Sequence, residues 1–360
     1  MTSSDLQWEL RELSLKLQRS VKLDHLFALT DHLALLQHAK FSVPARKEGY
    51  TVDDNARALV LATMARMLWP SEKLAELQHK LMSFLLVMQA EDGQFHNLMD
   101  FSQRITDNPT VGDHTGRAIW AMGKLINSDA RPGVKASARL IFDRALPWAR
   151  ESTSPRTTAY ACLGLQERLE AEPGDANLKA SLRITANSLL KLYGVNRAGD
   201  WKWFENILTY DNARLCQALL AAYKSLGEEA YLATAEETMR FLKDVTTINE
   251  TYVPIGSKGW YPKGGERALY DQQPVEAGAM VETTALAYRL APSKEYEAGL
   301  RQALGWFFGM NSKSVRIYDD SSGACYDGIN PGGLNENQGA ESTLAFLLAA
   351  STFICDFRKQ

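Results

Sequence analysis

Cysteine is scarce in this chain. The four present, Cys162, Cys216, Cys325 and Cys355, lie far apart and form no C-x-x-C pair. That spacing argues against a disulfide framework or a zinc site and suits reduced thiols in a cytoplasm. Histidine is little more common. His25, His32, His38, His79, His96 and His114 show no H-E-x-x-H spacing, so no metal site is expected. No apolar run reaches the roughly 20 residues of a membrane span. Met1 to Leu10 lacks a basic and then apolar leader, so no secretory signal is expected. Charge of one sign is missing too: 40 basic residues face 43 acidic ones, for a net charge of −3. Neither a nucleic-acid nor an anionic-membrane partner follows from that balance. Gly264-Gly265 and Gly332-Gly333 are loop punctuation, not nucleotide fingerprints, and Ser342 lies in G-A-E-S-T, which is not a nucleophile elbow. No cofactor is expected.

What remains is helix. Apolar residues recur at helical spacing through long Ala- and Leu-rich stretches, and β-branched runs are few. Strand-like pieces such as Thr251 to Pro254 and Ser314 to Tyr318 are short. Six small-residue segments, starting near Asp54, His114, Arg156, Asp211, Gln273 and Gln338, are apolar nearly all round and predict six buried helices. Six amphipathic segments alternate with them, at about 5–38, 72–90, 133–149, 176–193, 228–245 and 295–309. Inner and outer helices in six pairs make an all-α (α/α)6 barrel, here expected as one domain over residues 1–360. Connections into the inner helices are long and rich in Gly, acids and aromatics, so function is expected at that end.

The openings of the inner helices carry the chemistry. They bring Asp53, Asp54 and Asn55; Asp113 and His114; Tyr210, Asp211 and Asn212; Asp271, Gln272 and Gln273; and Asn337, Gln338 and Glu341, with Tyr326 and Asp327 in the last lead-in. Carboxylates and amides bind hydroxyls and aromatic faces cover apolar sugar faces, so an oligosaccharide or glycoside is the expected ligand. Trp201 and Trp203 would stack on a pyranose or else plug the core. Helix capping competes with every acidic assignment. For Glu276, in Q-P-V-E, a capping box is the preferred reading.

The segments QHAKFSVPARKEGYTVDDNARAL, HTGRAIWAMG, WKWFENILTYDNARL, YDQQPVEAGAM and YDGINPGGLNENQGAESTLAFLLA resemble an incompletely characterised bacterial family of six-hairpin glycosidase-like proteins, often described as glycosyltransferase-related. The resemblance spans about residues 37 to 352. It implies the (α/α)6 barrel and carbohydrate metabolism, with mannosides among the substrates. The wider superfamily also holds epimerases and lyases, so it fixes the fold better than the reaction.

The expected activity is cleavage of a glycosidic bond, most simply by inversion, with acid and base carboxyls roughly 6.5–9.5 Å apart. A phosphorylase, a sugar epimerase or isomerase, and a non-catalytic oligosaccharide-binding protein that works with a glycosyltransferase remain alternatives. The repeated D-N-A-R at 54–57 and 211–214 places Asp54 and Asp211 on opposite helices, with a gap between them for a sugar. Glu205 is then the expected acid, Asp54 the base and Asp211 an orienting group, with Asp271, Asp113 and Glu341 in reserve. Oligomeric state is not read from the sequence.

Overall fold

A computed structural model describes residues 3–358; the outermost residues of the expected 1–360 unit lie outside it. The inner helices are α3 (Val52–Leu68), α5 (Asp113–Ile126), α7 (Pro155–Ala171), α9 (Ala213–Leu226), α11 (Pro274–Leu290) and α13 (Ala340–Phe357). Each packs on the next, and α13 packs back on α3, so the ring is closed. The outer helices are α1 (Ser3–Ser20), α4 (Glu72–Met88), α6 (Pro132–Glu151), α8 (Ala176–Asn196), α10 (Glu229–Thr246) and α12 (Lys294–Trp306). α4, α6, α8, α10 and α12 each pack on the inner helix that precedes them in the chain, while α1 packs on α13. This is the (α/α)6 barrel.

Composition explains the two layers. Nearly every residue of α3 is buried, whereas α4 buries only one stripe, including Leu74, Leu77, Leu81 and Leu85. The inner helices approach closely because small residues face one another. A Cβ on Gly123 of α5 would come within 2.2 Å of the Gly164 carbonyl oxygen on α7, so neither side tolerates bulk there.

One outer segment differs from expectation. The apolar pattern over 5–38 is not one helix: α1 stops at Ser20, and α2 (Asp24–Leu29) is a separate short helix. Asp31 Oδ1 then accepts from the backbone N–H groups of Leu33 and Ala34, a local turn that helix cannot accommodate. The chain beyond it is tied to α3, because Leu35 exchanges two hydrogen bonds with the Asn55 side chain. Strand content is confined to two-stranded antiparallel ladders. Thr251–Tyr252 forms one strand, and of Ser314 to Tyr318 only Tyr318 does.

The connections are lopsided. Inner-to-outer turns are as short as Gly227–Glu228, whereas lead-ins to inner helices run over 89–112, 197–212, 247–273 and 307–339. α7 is the exception: only Ser152 to Ser154 precede it. Function is therefore sought at the N-terminal mouth of the inner ring. Among the described residues one helix, α13, is long and apolar enough to cross a membrane, and most of it is buried inside the ring.

Candidate active site at the barrel mouth

Arginines sit one turn behind the acidic helix openings and tie the mouth together. On α3, Asp54 accepts from Arg57 (2.7 Å) and from the Thr51 hydroxyl (2.9 Å). The other arm of Arg57 reaches Glu341 on α13 at 2.9 Å. On α5, Arg117 donates to Asp53 (2.5 Å) and also lies 3.6 Å from Asp211. On α9, Arg214 pairs with Glu282 of α11 at 2.6 Å and stands 3.4 Å from Asp211. These guanidiniums stack on rings of α5 and α7: Arg117 on Tyr160, and Arg214 on both Trp120 and Tyr160. The barrel axis below the mouth is thus filled by a layer of cations and aromatics. The expected open gap between Asp54 and Asp211 is not there, because Arg117 spans the lumen between Asp53 and Asp211.

Asp211 is fully buried in the left-handed region, with φ of 53°. Its carboxylate accepts from the Tyr160 hydroxyl. Its backbone N–H donates to Glu276, which also accepts from the Asn212 amide at 2.8 Å. Glu276 therefore does not form the capping box expected on α11. It braces the start of α9 from the neighbouring inner helix, and sequence spacing gives no sign of that contact. The capping expected of Asp54 and Asp211 differs as well: Thr51 caps α3, and Asp211 stands two residues ahead of α9.

The electrostatics split the carboxyls. Burial pushes Glu276 up, the Asp211 carboxylate adds to it, and the group reaches about 7. Burial also raises Asp54, against the pull of Arg57. For Asp53 burial acts in the same direction but is outweighed by Arg117 and Arg57, which hold it below the ordinary carboxylate range. Asp327 is raised by burial. The mouth thus contains an ionised carboxylate with part of its surface in solvent, Asp53, and a carboxyl that holds a proton near neutrality, Glu276. They are joined through Arg117 and Asp211.

Other expected ligand residues serve the scaffold. Asn55 is fully buried on Leu35 and Thr51. Gln272 is buried on Trp306 and Ser312. Gln338 is buried at the start of α13, and Asn337 accepts from the Phe41 backbone. His114 is buried against the Thr110 carbonyl. Glu205, expected as the acid, is paired through both oxygens with the Arg156 guanidinium at 3.1 and 2.9 Å. Trp203 has no exposed surface, and Trp201 packs edge-on to Phe241 and Tyr261, so the stacking platform expected of them gives way to a core plug. Of the expected ligand residues, Asp53, Asp113, Tyr210, Asp271, Gln273, Tyr326, Asp327 and Glu341 keep some exposed surface. Asp113 is held by Ser154 (2.8 Å) and Tyr210 (2.5 Å). Asp327 accepts from the backbone N–H of Gly339 at the start of α13. Among the described residues no group of three or more His, Cys, Asp or Glu is arranged to hold a metal ion.

Fold and mouth together define a six-hairpin (α/α)6 barrel with a charged, aromatic-lined opening. Solved structures of this architecture match the chain over nearly its whole length. A sugar epimerase from a ruminal bacterium superposes with a TM-score of 0.73 at 11% identity, over 94% of this chain and 98% of that one. The cellobiose 2-epimerase of Bacillus thermoamylovorans gives 0.73 at 9%, over 93% and 99%. An α-1,6-mannanase from Salegentibacter sp. gives 0.64 at 12%, over 95% and 98%. No known family profile matches the sequence, and no curated protein sequence matches it.

Proposed function

We propose that the chain is a carbohydrate-active enzyme that cleaves glycosidic bonds by hydrolysis, with the described residues acting as one domain. The observation that carries this reading is the split between Asp53 and Glu276. Two carboxyls whose surroundings push their pKa values apart are what acid–base cleavage needs. Asp53, ionised, takes a proton from a water whose oxygen attacks the anomeric carbon. Glu276, protonated, gives its proton to the departing glycosidic oxygen as that bond breaks. Solvent then returns each group to its starting state. This revises the expected pair: Asp53 replaces Asp54 as base, Glu276 replaces Glu205 as acid, and Asp211 becomes the link between them. Single displacement with inversion is the simplest form. Mannosides are the first substrates to try, given the glycosyltransferase-related family that the sequence resembles. A cytoplasmic setting suits four free thiols.

The test is a panel of α-mannosides, β-mannosides and β-glucosides, with and without phosphate, in which the first-formed anomer is followed by NMR. Inverted product without need of phosphate supports the proposal. No cleavage of any member counts against it.

An epimerase or isomerase reading also has neighbours behind it, since sugar epimerases and a D-mannose isomerase superpose over 93–98% of the chain. Against it, His114 is the one histidine at an inner-helix opening, and it is buried on Thr110. Solvent deuterium entering a free sugar, with no bond cleaved, would select that reading. Tight binding with neither reaction would select a non-catalytic oligosaccharide-binding protein.

A further inference from the structure

We propose that Phe41 is a sugar-stacking platform on the rim of the mouth, and that it makes the site prefer a chain of several sugars over a single one. This rests on the mouth being a carbohydrate site, though not on which reaction occurs there.

Phe41 is the second residue of an exposed turn between the paired strands Ala39–Lys40 and Val43–Pro44. Its φ is 50°, a region where a bulky side chain is strained and glycine or asparagine is the usual occupant. Phe41 is 52% exposed, so the strain is not offset by burial. The backbone is nevertheless fixed. The Phe41 N–H donates to the Asn337 side chain at 3.0 Å, and the Phe41 carbonyl accepts from the Gln338 N–H at 3.0 Å. Those partners lead directly into α13, whose first turn carries Glu341, the partner of Arg57. A strained, clamped aromatic with its ring in solvent beside the charged mouth is placed for a ligand rather than for the core. The Lys40 ammonium lies 4.9 Å from the ring centroid, over an electron-rich face of the kind that polarised sugar C–H groups also meet.

A second aromatic has the same oddity on another wall. Trp260, in the lead-in to α11, has φ of 55° and is half-buried beside Tyr210, with ring centroids 6.3 Å apart. Tyr210 in turn bonds Asp113. Phe41 is bonded to the residues that lead into α13, while Tyr210 and Trp260 lie in the lead-ins to α9 and α11. Inner helices about 10 Å thick separate these walls. A ligand that touches both covers more than one pyranose ring.

The experiment is calorimetry with two ladders, α-1,6-linked manno-oligosaccharides and β-1,4-linked gluco-oligosaccharides of one to five units. In at least one ladder the pentasaccharide is expected to bind at least about tenfold more tightly than the monosaccharide. Phe41→Gly is expected to remove most of that gain while leaving the melting temperature unchanged or higher, because glycine relieves the φ strain. Phe41→Tyr is expected to keep the gain. A flat response in both ladders, or a Phe41→Gly chain with its length preference intact, overturns the proposal. So does a Phe41→Gly chain that loses stability along with binding. A flat response in a chain that still cleaves a disaccharide removes the platform and leaves the hydrolase reading standing. An intact length preference without cleavage supports the platform and removes the hydrolase reading.

Discussion

The tetrapeptide Asp-Asn-Ala-Arg occurs twice at the mouth and folds in two different ways. At 54–57 it lies inside α3, capped by Thr51, and Asp54 bonds its own Arg57. At 211–214 the helix starts two residues later, Asp211 is left-handed, and Arg214 bonds Glu282 while its guanidinium stands 3.4 Å from Asp211 without a hydrogen bond. Asp211 takes its hydrogen bonds and a second guanidinium from elsewhere: Tyr160 on α7, Glu276 on α11 through its backbone, and Arg117 on α5. Identical local sequence thus gives a local ion pair in one place and a hub of long-range contacts in the other. The lead-in decides. A threonine placed to cap starts α3 early, whereas Thr209 and Tyr210 are held to Arg156 through a hydroxyl and a carbonyl.

The sharpest way to break the comparison is to remove the guanidinium that joins the two sites. Arg117→Met leaves two carboxylates without a shared partner and is expected to cost about 3–5 kcal/mol in chemical denaturation. A loss under about 1 kcal/mol would mean that Asp53 and Asp211 do not depend on Arg117.

A second effect is one of pH. The Glu276 carboxyl is raised from 4.5 to about 7 in the folded chain. Between those values the folded state holds a proton that the unfolded state has released. Stability therefore falls as pH rises through this window, by up to about 3 kcal/mol from this group. Glu276→Gln is expected to remove that slope from melting temperatures measured between pH 4.5 and 7.5. An unaltered slope would assign it to another group.

A smaller contrast separates the twin aspartates. Asp211→Asn is expected to cost about 2–3 kcal/mol, because the fully buried carboxylate accepts from the Tyr160 hydroxyl and lies 3.6 Å from the Arg117 and 3.4 Å from the Arg214 guanidinium. Asp54→Asn is expected to cost about 1 kcal/mol, since losing the charge also relieves the burial that pushes Asp54 up. Equal losses in denaturant titrations would erase the difference between hub and local pair. The smallest effect belongs to the aromatic plug. Trp201→Phe loses one bond to the Glu205 carbonyl, is expected to cost about 1 kcal/mol, and should leave oligosaccharide affinity unchanged. Weaker sugar binding would restore Trp201 as a platform.

Much of the architecture was legible in the sequence because it is written in local pattern. Ala- and Gly-rich, all-round apolar helices alternating with amphipathic ones announce the two rings, and all six inner starts fall within two residues of expectation. The break after Ser20 and the Asp31 turn beyond α2 leave no mark in the pattern, because both lie within an apolar run that keeps helical spacing. The mouth was legible as a ring of acids but not as a network. Glu276 has local spacing that suits a cap, and its actual partners lie more than 60 residues upstream. Glu205 follows two tryptophans that suggested a sugar face, yet Trp203 is sealed in the core and Arg156 takes the carboxylate. The arginines one turn behind the openings of α3, α5 and α9 were the available signal. Their reach to a neighbouring helix appears only once the ring closes.

The most direct measurement is kcat/KM against pH for the chain and for Glu276→Gln, on whichever glycoside the panel shows to be cleaved. With Glu276 as acid, activity falls above about pH 7. Glu276→Gln, still folded by circular dichroism, loses about 10²–10⁴-fold in turnover together with that alkaline limb. A variant with near-normal turnover and the same limb would contradict the account, leaving Glu276 as a brace for α9 and nothing more.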